Sequence, residues 1–134
     1  MTDTIQTIHN IARKIEQAEQ KALAPSNFLA SWQAIQQKVK QVNTDHGWHN
    51  SEVHDGVYIA LIHAELSEAL EGLRHGNPAS EHIPLFNAAE EELADVIIRV
   101  MDMAEARGWR VAEAVLAKIE FNETRPYRHG GKEF

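Results

Sequence analysis

Proline and glycine divide this chain into long segments whose apolar residues recur at helical spacing. Only 4 prolines and 7 glycines occur in 134 residues, and most of them fall between the periodic segments. Apolar residues repeating every three to four positions mark the buried side of a helix, whereas no alternating strand pattern is present. The sequence therefore predicts an all-α fold, a single domain over residues 1–134 built as a bundle of about five helices.

The first three predicted helices are bounded by their breaking and capping residues. The first covers residues 4–23 and is broken at Pro25. Ser26 is expected to cap the second helix, and Ser51 the third, which ends at Arg74. Apolar residues of the third helix form one stripe, which the pattern places on its buried side: Ile59, Ile62, Leu66, Leu70 and Leu73.

The last two predicted helices have clearer ends. Asn87 with Glu90 three positions later matches a capping box and opens the fourth helix. Gly108 is suited to end that helix in the left-handed conformation. The fifth covers residues 110–124, and Pro126 stops it.

Composition excludes several classes of protein. The absence of cysteine excludes disulfide frameworks and thiolate metal sites, and it suits a reducing compartment. The net charge of -7 argues against a nucleic-acid-binding surface. No apolar run approaches the roughly 20 residues that span a bilayer, and the N-terminus lacks the features of a signal peptide. We therefore expect a cytoplasmic protein that binds neither nucleic acid nor membrane.

The acidic residues are concentrated in the centre of the chain. Between Glu52 and Glu105 lie 12 of the 20 acidic residues and only two basic ones, Arg74 and Arg99. From Lys118 onward the chain becomes basic. This distribution fits a cation site beside an anion site, but charge alone favours two solvated faces.

Two carboxylate pairs stand out within the acidic centre. Glu65 and Glu68 lie three positions apart on the third predicted helix, and Glu92 and Asp95 on the fourth, so each pair shares a helix face. Both pairs adjoin the apolar stripe, and antiparallel packing of the two helices would bring them together. Converging carboxylates repel unless they bind a proton or a cation, and oxygen ligands favour Mg²⁺ or Mn²⁺. The pattern leaves a metal site and a solvated acidic surface both open.

The order of these motifs resembles a known family. An ExxE motif in HAELSEALEGLRHG is followed on the next long helix by ExxD in EEELADVIIRVMDMAEARGW, and then by KIEFNETRPYRHGGK. This combination resembles the MazG-like, all-α NTP pyrophosphohydrolase superfamily, which also includes dimeric dUTPases and dCTP pyrophosphatases. The resemblance is strong over residues 59–132 and weak over residues 1–50. Either motif alone is unspecific, whereas their ordered combination is fairly specific.

The resemblance implies a reaction and a cofactor. Members of this superfamily cleave a nucleoside triphosphate between its α- and β-phosphates, giving the monophosphate and pyrophosphate, with Mg²⁺ and in some cases Mn²⁺. Such enzymes can serve as house-cleaning enzymes of the nucleotide pool, and they assemble as homodimers or homotetramers. By match to the motif, the metal ligands are expected to be Glu65, Glu68, Glu92 and Asp95.

The resemblance also implies substrate contacts. The expected phosphate contacts are Lys118, Asn122 and Arg125, of which the first two keep the family's K-x-x-x-N spacing. An aromatic residue from the region of Trp48 stacks on the base in related enzymes, although packing against the end of the bundle is an alternative role for Trp48.

One position departs from the family pattern. Many members have a second glutamate directly before the ExxE motif, where this chain has Ala64. If that glutamate activates water, another group must do so here, and Glu65 or Glu91 are the candidates. The departure also keeps an alternative open: a non-catalytic helical module that binds nucleotides or a protein and retains only the scaffold.

Overall fold

The computed structural model describes the backbone of residues 2–127 and the side chains of residues 9, 10, 13–16 and 25–127. This part of the chain contains four α-helices and no strand: α1 (Thr2–Asp45), α2 (Asp55–Arg74), α3 (Ala88–Arg107) and α4 (Val111–Glu123). The all-α prediction is confirmed, and each of the five predicted helical segments is helical. The end of the RPYRHGGK motif, from residue 128, lies outside the described residues.

The predicted break at Pro25 is wrong. Helix α1 continues through this proline, so the first two predicted helices form one helix and Ser26 caps nothing. A proline inside a helix removes one backbone donor and costs roughly 3 kcal/mol. The residues just before Pro25 are Ala22, Leu23 and Ala24, and alanine and leucine are the strongest helix formers. Their propensity favours continuation where the proline alone predicts an end.

Helix α2 begins later than predicted. Ser51 does not cap it; the N-cap is His54, whose Nδ1 accepts a hydrogen bond of 3.0 Å from the backbone N–H of Gly56. A ring nitrogen placed in this way satisfies the same backbone donor that a serine hydroxyl would satisfy. Residues 46–54 therefore form a loop, called here the connecting loop, between α1 and α2.

Both predicted ends of α3 are confirmed. The Asn87 side chain accepts from the backbone N–H of Glu90 at 2.9 Å, and the Glu90 side chain accepts from the backbone N–H of Asn87 at 2.8 Å. Gly108 ends the helix with φ +66°, a conformation that residues with a side chain rarely adopt. The capping box fixes where the first turn of α3 begins, and hence where its acidic side chains point.

Helices α2 and α3 pack antiparallel. Near the end of α2, a Cβ built on Gly72 would lie 3.0 Å from Cβ of Ala88 at the start of α3. At the opposite end, Asp55 pairs with Arg107, with Nε to Oδ1 at 2.6 Å. The small residue Gly72 lets the two backbones approach closely. The buried apolar residues on these two helices are Tyr58, Ala69, Ala89, Met101, Met103 and Ala104.

The buried side of α2 is not the predicted apolar stripe. Leu66, Leu70 and Leu73 are exposed in the chain, whereas Glu65 is only 6% exposed. Helix α3 shows the same shift, because Leu93 and Ile97 are about half exposed. The helix pair thus turns polar residues toward its seam and leaves an apolar strip of leucine and isoleucine outside it.

The chain divides into two compact units. One consists of Ile35–Val111 and contains the end of α1, the connecting loop, α2 and α3. Within it, the Gln36 amide donates to Glu105 of α3 at 2.7 Å. The other consists of Met1–Ala34 and Ala112–Phe134. Among the described residues, no helix combines the length and apolar character that a membrane crossing requires.

Candidate metal centre

Three carboxylates converge where α2 and α3 face each other. One carboxylate oxygen from each of Glu65, Glu68 and Glu92 lies within 4.8 Å of the other two. Glu65 is buried, Glu92 is half-buried and Glu68 is exposed. The spacing of three along α2 gives the first two acids a common face, and the antiparallel seam brings Glu92 opposite them. The expectation that acids from these two helices meet is therefore confirmed for these three residues, called here the acidic cluster.

Electrostatics show how closely these groups interact. Burial, a hydrogen bond with Glu65 and the charge of Glu68 together raise the pKa of Glu92 to about 7, and burial contributes most. A carboxyl group with this pKa holds a proton at neutral pH about half of the time. Protonation of Glu92 thus relieves part of the repulsion within the cluster.

Asp95 stands beside the cluster rather than within it. It is not one of the three residues whose oxygens converge, but its charge contributes to the raised pKa of Glu92. Burial raises the pKa of Asp95 itself, and the charge of Glu65 raises it further, while Arg99 lowers it. Of the four predicted metal ligands, three bring their carboxylate oxygens close together, and Asp95 lies beside them.

Arg99 provides a positive charge at the same place. Its Nε and Nη2 atoms both donate to Oε1 of Glu65, across the seam between α3 and α2. A buried carboxylate beside other acids requires compensation, and a guanidinium with two donors on one side supplies it. A proton and an arginine therefore offset part of the cluster's negative charge.

The cluster's donor set suits a hard divalent cation. All three converging groups are carboxylates, which are the ligands that Mg²⁺ and Mn²⁺ prefer, and the chain has no cysteine to attract softer metals. The three oxygens are close enough to reach one ion from two helices. These residues could therefore hold Mg²⁺ or Mn²⁺.

A cavity of about 200 Å³ opens beside the cluster. It is smaller than the roughly 300–1,000 Å³ of pockets that enclose a whole drug-sized ligand, so it suits one part of a larger ligand. Two of its lining residues, Asp95 and Arg99, also interact with the cluster. The complete lining is Asn43, Trp48, Val53, Tyr58, Leu61, Asp95, Ile98, Arg99 and Asp102.

The cavity combines an aromatic edge with polar groups. Trp48 is 62% exposed, so much of its ring is open to contact. Burial raises the pKa of Tyr58, and the charge of Asp102 raises it further. The remaining part of Trp48 is covered, so packing against the end of the bundle and contact with a ligand both stay open. The exposed ring leaves stacking on a planar ligand available.

The connecting loop is fixed to α3 at two points. Nε2 of His49 lies 2.8 Å from Oδ1 of the buried Asp102. Arg107 donates from Nη2 to the backbone oxygen of Val53 at 2.5 Å and lies over the ring of Tyr58 at 5.6 Å. Trp48 therefore belongs to a loop that is held in place on both sides.

Glu91 faces a different environment from the cluster. Its carboxylate is hydrogen-bonded by the hydroxyl of Ser80 and lies 2.8 Å from Nδ1 of His82. These two hydrogen bonds hold the pKa of Glu91 below its ordinary value. Both partners lie in the segment between α2 and α3, so Glu91 fastens that segment to the start of α3.

The predicted phosphate contacts lie on or just after α4. Nζ of Lys118 sits 4.4 Å above the ring of Phe121, and the backbone N–H of Arg125 donates to the carbonyl of Asn122 at 3.1 Å. All three predicted contacts are exposed. They belong to the unit that includes Ala112–Phe134, and their role as phosphate contacts stays a prediction.

The sequence reasoning missed the roles of Arg99 and Asp102. Arg99 follows Asp95 by four positions and Glu92 by seven, which places all three on one face of α3. An arginine on the same face as two acids in an otherwise acidic segment is the signal that could have found it. Asp102 lies one turn beyond Arg99, but nothing in the sequence indicates its partner, His49.

No protein-family model, curated protein or solved structure matches the chain.

Proposed function

We propose that the chain is a Mg²⁺-dependent nucleoside triphosphate pyrophosphohydrolase that releases pyrophosphate and a nucleoside monophosphate. The observation that supports this proposal is the meeting of Glu65, Glu68 and Glu92 across two helices, directly beside a cavity with an exposed tryptophan. The sequence supports it independently, through the ordered motifs that resemble the MazG-like superfamily. The proposed enzyme belongs to the hydrolases acting on phosphoanhydride bonds, and its role would be nucleotide-pool house-cleaning.

The acidic cluster would bind a cation that also binds the substrate's phosphates. A triphosphate is strongly anionic, so carboxylates can approach it only through bridging cations. Bound Mg²⁺ neutralises phosphate charge, polarises phosphorus and lowers the pKa of a coordinated water. Glu65, Glu68 and Glu92 are the proposed ligands, with Asp95 as a further ligand on the same side of α3. Trp48 would stack on the base in the adjoining cavity, while Lys118, Asn122 and Arg125 remain the proposed phosphate contacts.

Glu65 is the better of the two candidates for activating water. It belongs to the acidic cluster, where the attacking water must lie if the cation binds there. Glu91 is engaged by Ser80 and His82, and a carboxylate with a lowered pKa is a weaker base. Glu65 also directly follows Ala64, the position at which many members of the superfamily carry the additional acid.

We further propose that the protein is a homodimer or homotetramer through the exposed apolar strip. The strip runs along α2 and α3 and consists of Leu66, Leu70, Leu73, Leu93 and Ile97. A second copy offers the same residues, so an isologous contact pairs apolar side chains with apolar side chains. Burial of such a strip removes apolar surface from water, which is the main drive for obligate assembly.

A pyrophosphate-release assay tests the proposed activity. A panel of ribo- and deoxyribonucleoside triphosphates is incubated with Mg²⁺ or Mn²⁺, and the products are identified. We expect pyrophosphate from the wild type and its loss in Glu68→Gln, whereas Glu71→Gln is the matched control. Glu71 lies one turn further on the same helix and pairs at the surface with Arg74. Release of orthophosphate, or equal activity in both variants, contradicts the proposal.

A second candidate is a non-catalytic helical module, and one observation favours it. Arg99 and a proton on Glu92 already offset part of the cluster's negative charge in the absence of a cation. The two candidates differ in their response to Mg²⁺. An enzyme that binds the ion gains thermal stability from it, by about 2.7 kcal/mol at a hundredfold excess over Kd. A module without a metal site shows no such gain and no product with any triphosphate.

A further inference from the structure

Arg99 occupies the position where a cation would act on Glu65. Its Nε and Nη2 atoms both pair with a single oxygen, Oε1 of Glu65. The Glu65 side chain is 8% exposed and that of Arg99 is 32% exposed, so the pair is partly shielded from water. Charges interact more strongly in such surroundings than on an open surface.

This ion pair opposes binding of a divalent cation in two ways. The guanidinium uses the electron pairs of an oxygen that would otherwise be free for the metal. Its own positive charge also repels any cation that enters the acidic cluster. An opposite charge within about 4–6 Å shifts the proton affinity of a carboxylate by 10- to 1,000-fold, and a divalent cation is affected in the same direction.

The cavity offers space into which the Arg99 side chain can move when it leaves Glu65. It is one of the residues that line the cavity beside the cluster, together with Asn43 and Trp48. Its long, flexible side chain is about one-third exposed to solvent. The guanidinium can therefore leave Glu65 by turning about its own side-chain bonds, without movement of α3.

We propose that Arg99 is a built-in competitor of the divalent cation, which neutralises Glu65 in the metal-free protein and leaves Glu65 when the cation binds. This inference rests on the proposed metal site. It differs from a positioning role, in which Arg99 would hold Glu65 ready for the metal. The two roles predict changes of opposite sign when the arginine is removed.

Calorimetric titration with Mg²⁺ and Mn²⁺ distinguishes these roles. We expect Arg99→Gln to bind the cation at least about tenfold more tightly than the wild type, from the loss of one nearby positive charge. Arg99→Lys keeps the charge but loses the pairing of two donors with one oxygen. A smaller increase in the affinity for the cation is therefore expected. Arg107→Gln is the matched control, because it removes an arginine of the same helix that pairs with Asp55 instead of the cluster. Its affinity should equal that of the wild type.

A second measurement follows the arginine in the wild type itself, with the conservative variant Arg99→Lys used only to identify its signal. The Nε–H signal of Arg99, identified by its absence in Arg99→Lys, is followed by NMR during a Mg²⁺ titration. We expect it to shift and exchange faster with water as the site fills, while the Nε–H signal of Arg107 stays in place. If the Arg99 signal is unchanged at saturation, the inference is overturned.

The outcomes also separate this inference from the proposed function. If the wild type binds the cation and Arg99→Gln binds it equally or more weakly, only the competitor role of Arg99 fails. If neither the wild type nor an Arg99 variant binds a divalent cation, the metal site fails and the competitor role fails with it. Binding that is detectable only after removal of Arg99 supports both.

Discussion

Carboxylate oxygens of Glu65 on α2 and Glu92 on α3 lie within 4.8 Å of each other although both groups are acids. The burial of Glu92 and its acidic neighbours raise its pKa to about 7. The folded protein therefore holds a proton that the unfolded chain releases at lower pH. This difference links folding to pH at a carboxyl group of the candidate metal centre.

The first prediction concerns stability against pH in the absence of metal. Between the ordinary pKa of Glu92, 4.5, and its folded value of about 7, the folded state binds more protons than the unfolded state. The contribution of Glu92 to the free energy of unfolding therefore falls as pH rises through that interval. Above the interval this contribution no longer changes with pH. Thermal melts across this range should show a smaller decline for Glu92→Gln than for the wild type. The exposed Glu120→Gln is the control and should follow the wild type; a parallel decline in Glu92→Gln would contradict the prediction.

The second prediction concerns Trp48. Stacking of a base on an aromatic ring contributes about 1–3 kcal/mol, so Trp48→Ala should raise KM for the triphosphate by about 5- to 150-fold while changing kcat little. The KM of Trp48→Phe should lie between those of the wild type and Trp48→Ala. Trp109 is also half exposed but is not among the cavity residues, so Trp109→Ala is the matched control. Equal kinetic effects of the two alanine variants would exclude Trp48 from the binding site.

The third prediction concerns the segment between α2 and α3. The hydrogen bond to Glu91, and then its charge, raise the pKa of His82 above its ordinary value. An NMR titration of the histidine ring should therefore give His82 a higher midpoint in the wild type than in Glu91→Gln. Glu71→Gln is the control, because Glu71 is not among the acids that raise the pKa of His82, and it should leave the His82 midpoint unchanged. An unchanged His82 midpoint in Glu91→Gln would show that the pair does not persist in solution.

The fourth prediction concerns assembly. Light scattering after gel filtration should give a mass that is a whole multiple, two or four, of the 15.1 kDa chain. Leu70→Glu and Ile97→Glu place a charge within the exposed apolar strip and should release monomers, because an unpaired charge is costly to bury. Leu85→Glu changes a leucine that is 95% exposed in the segment between α2 and α3, and it should leave the mass unchanged. A wild-type monomer at micromolar concentration would refute self-association.

Features with a local cause could be predicted from the sequence. The capping box of Asn87 and Glu90 and the left-handed Gly108 depend only on neighbouring residues, and both occur where expected. The meeting of Glu65 and Glu68 with Glu92 required one further step, the antiparallel pairing of successive helices. That step is well constrained, because a segment of about a dozen residues returns the chain to its neighbour.

Features that depend on the surroundings could not be predicted. Whether α1 continues through Pro25 depends on the balance between one lost hydrogen bond and the propensity of its neighbours. Hydrophobic periodicity predicts which residues avoid water, but it does not say whether Leu66 does so within one chain or against a second one. The bond between Arg99 and Glu65 depends on the register of α3 against α2, and a register is a tertiary property.

The two anchors of the connecting loop have an evolutionary consequence. His49 with Asp102, and Arg107 with Val53, attach the rim of the cavity to α3 without using any of the three converging acids. In the proposed enzyme, different residues would thus determine selectivity for a base and the chemistry at phosphorus. Under the proposed function, substitutions at Asn43 or Trp48 would change which nucleotide is accepted without changing the acids at which the reaction takes place.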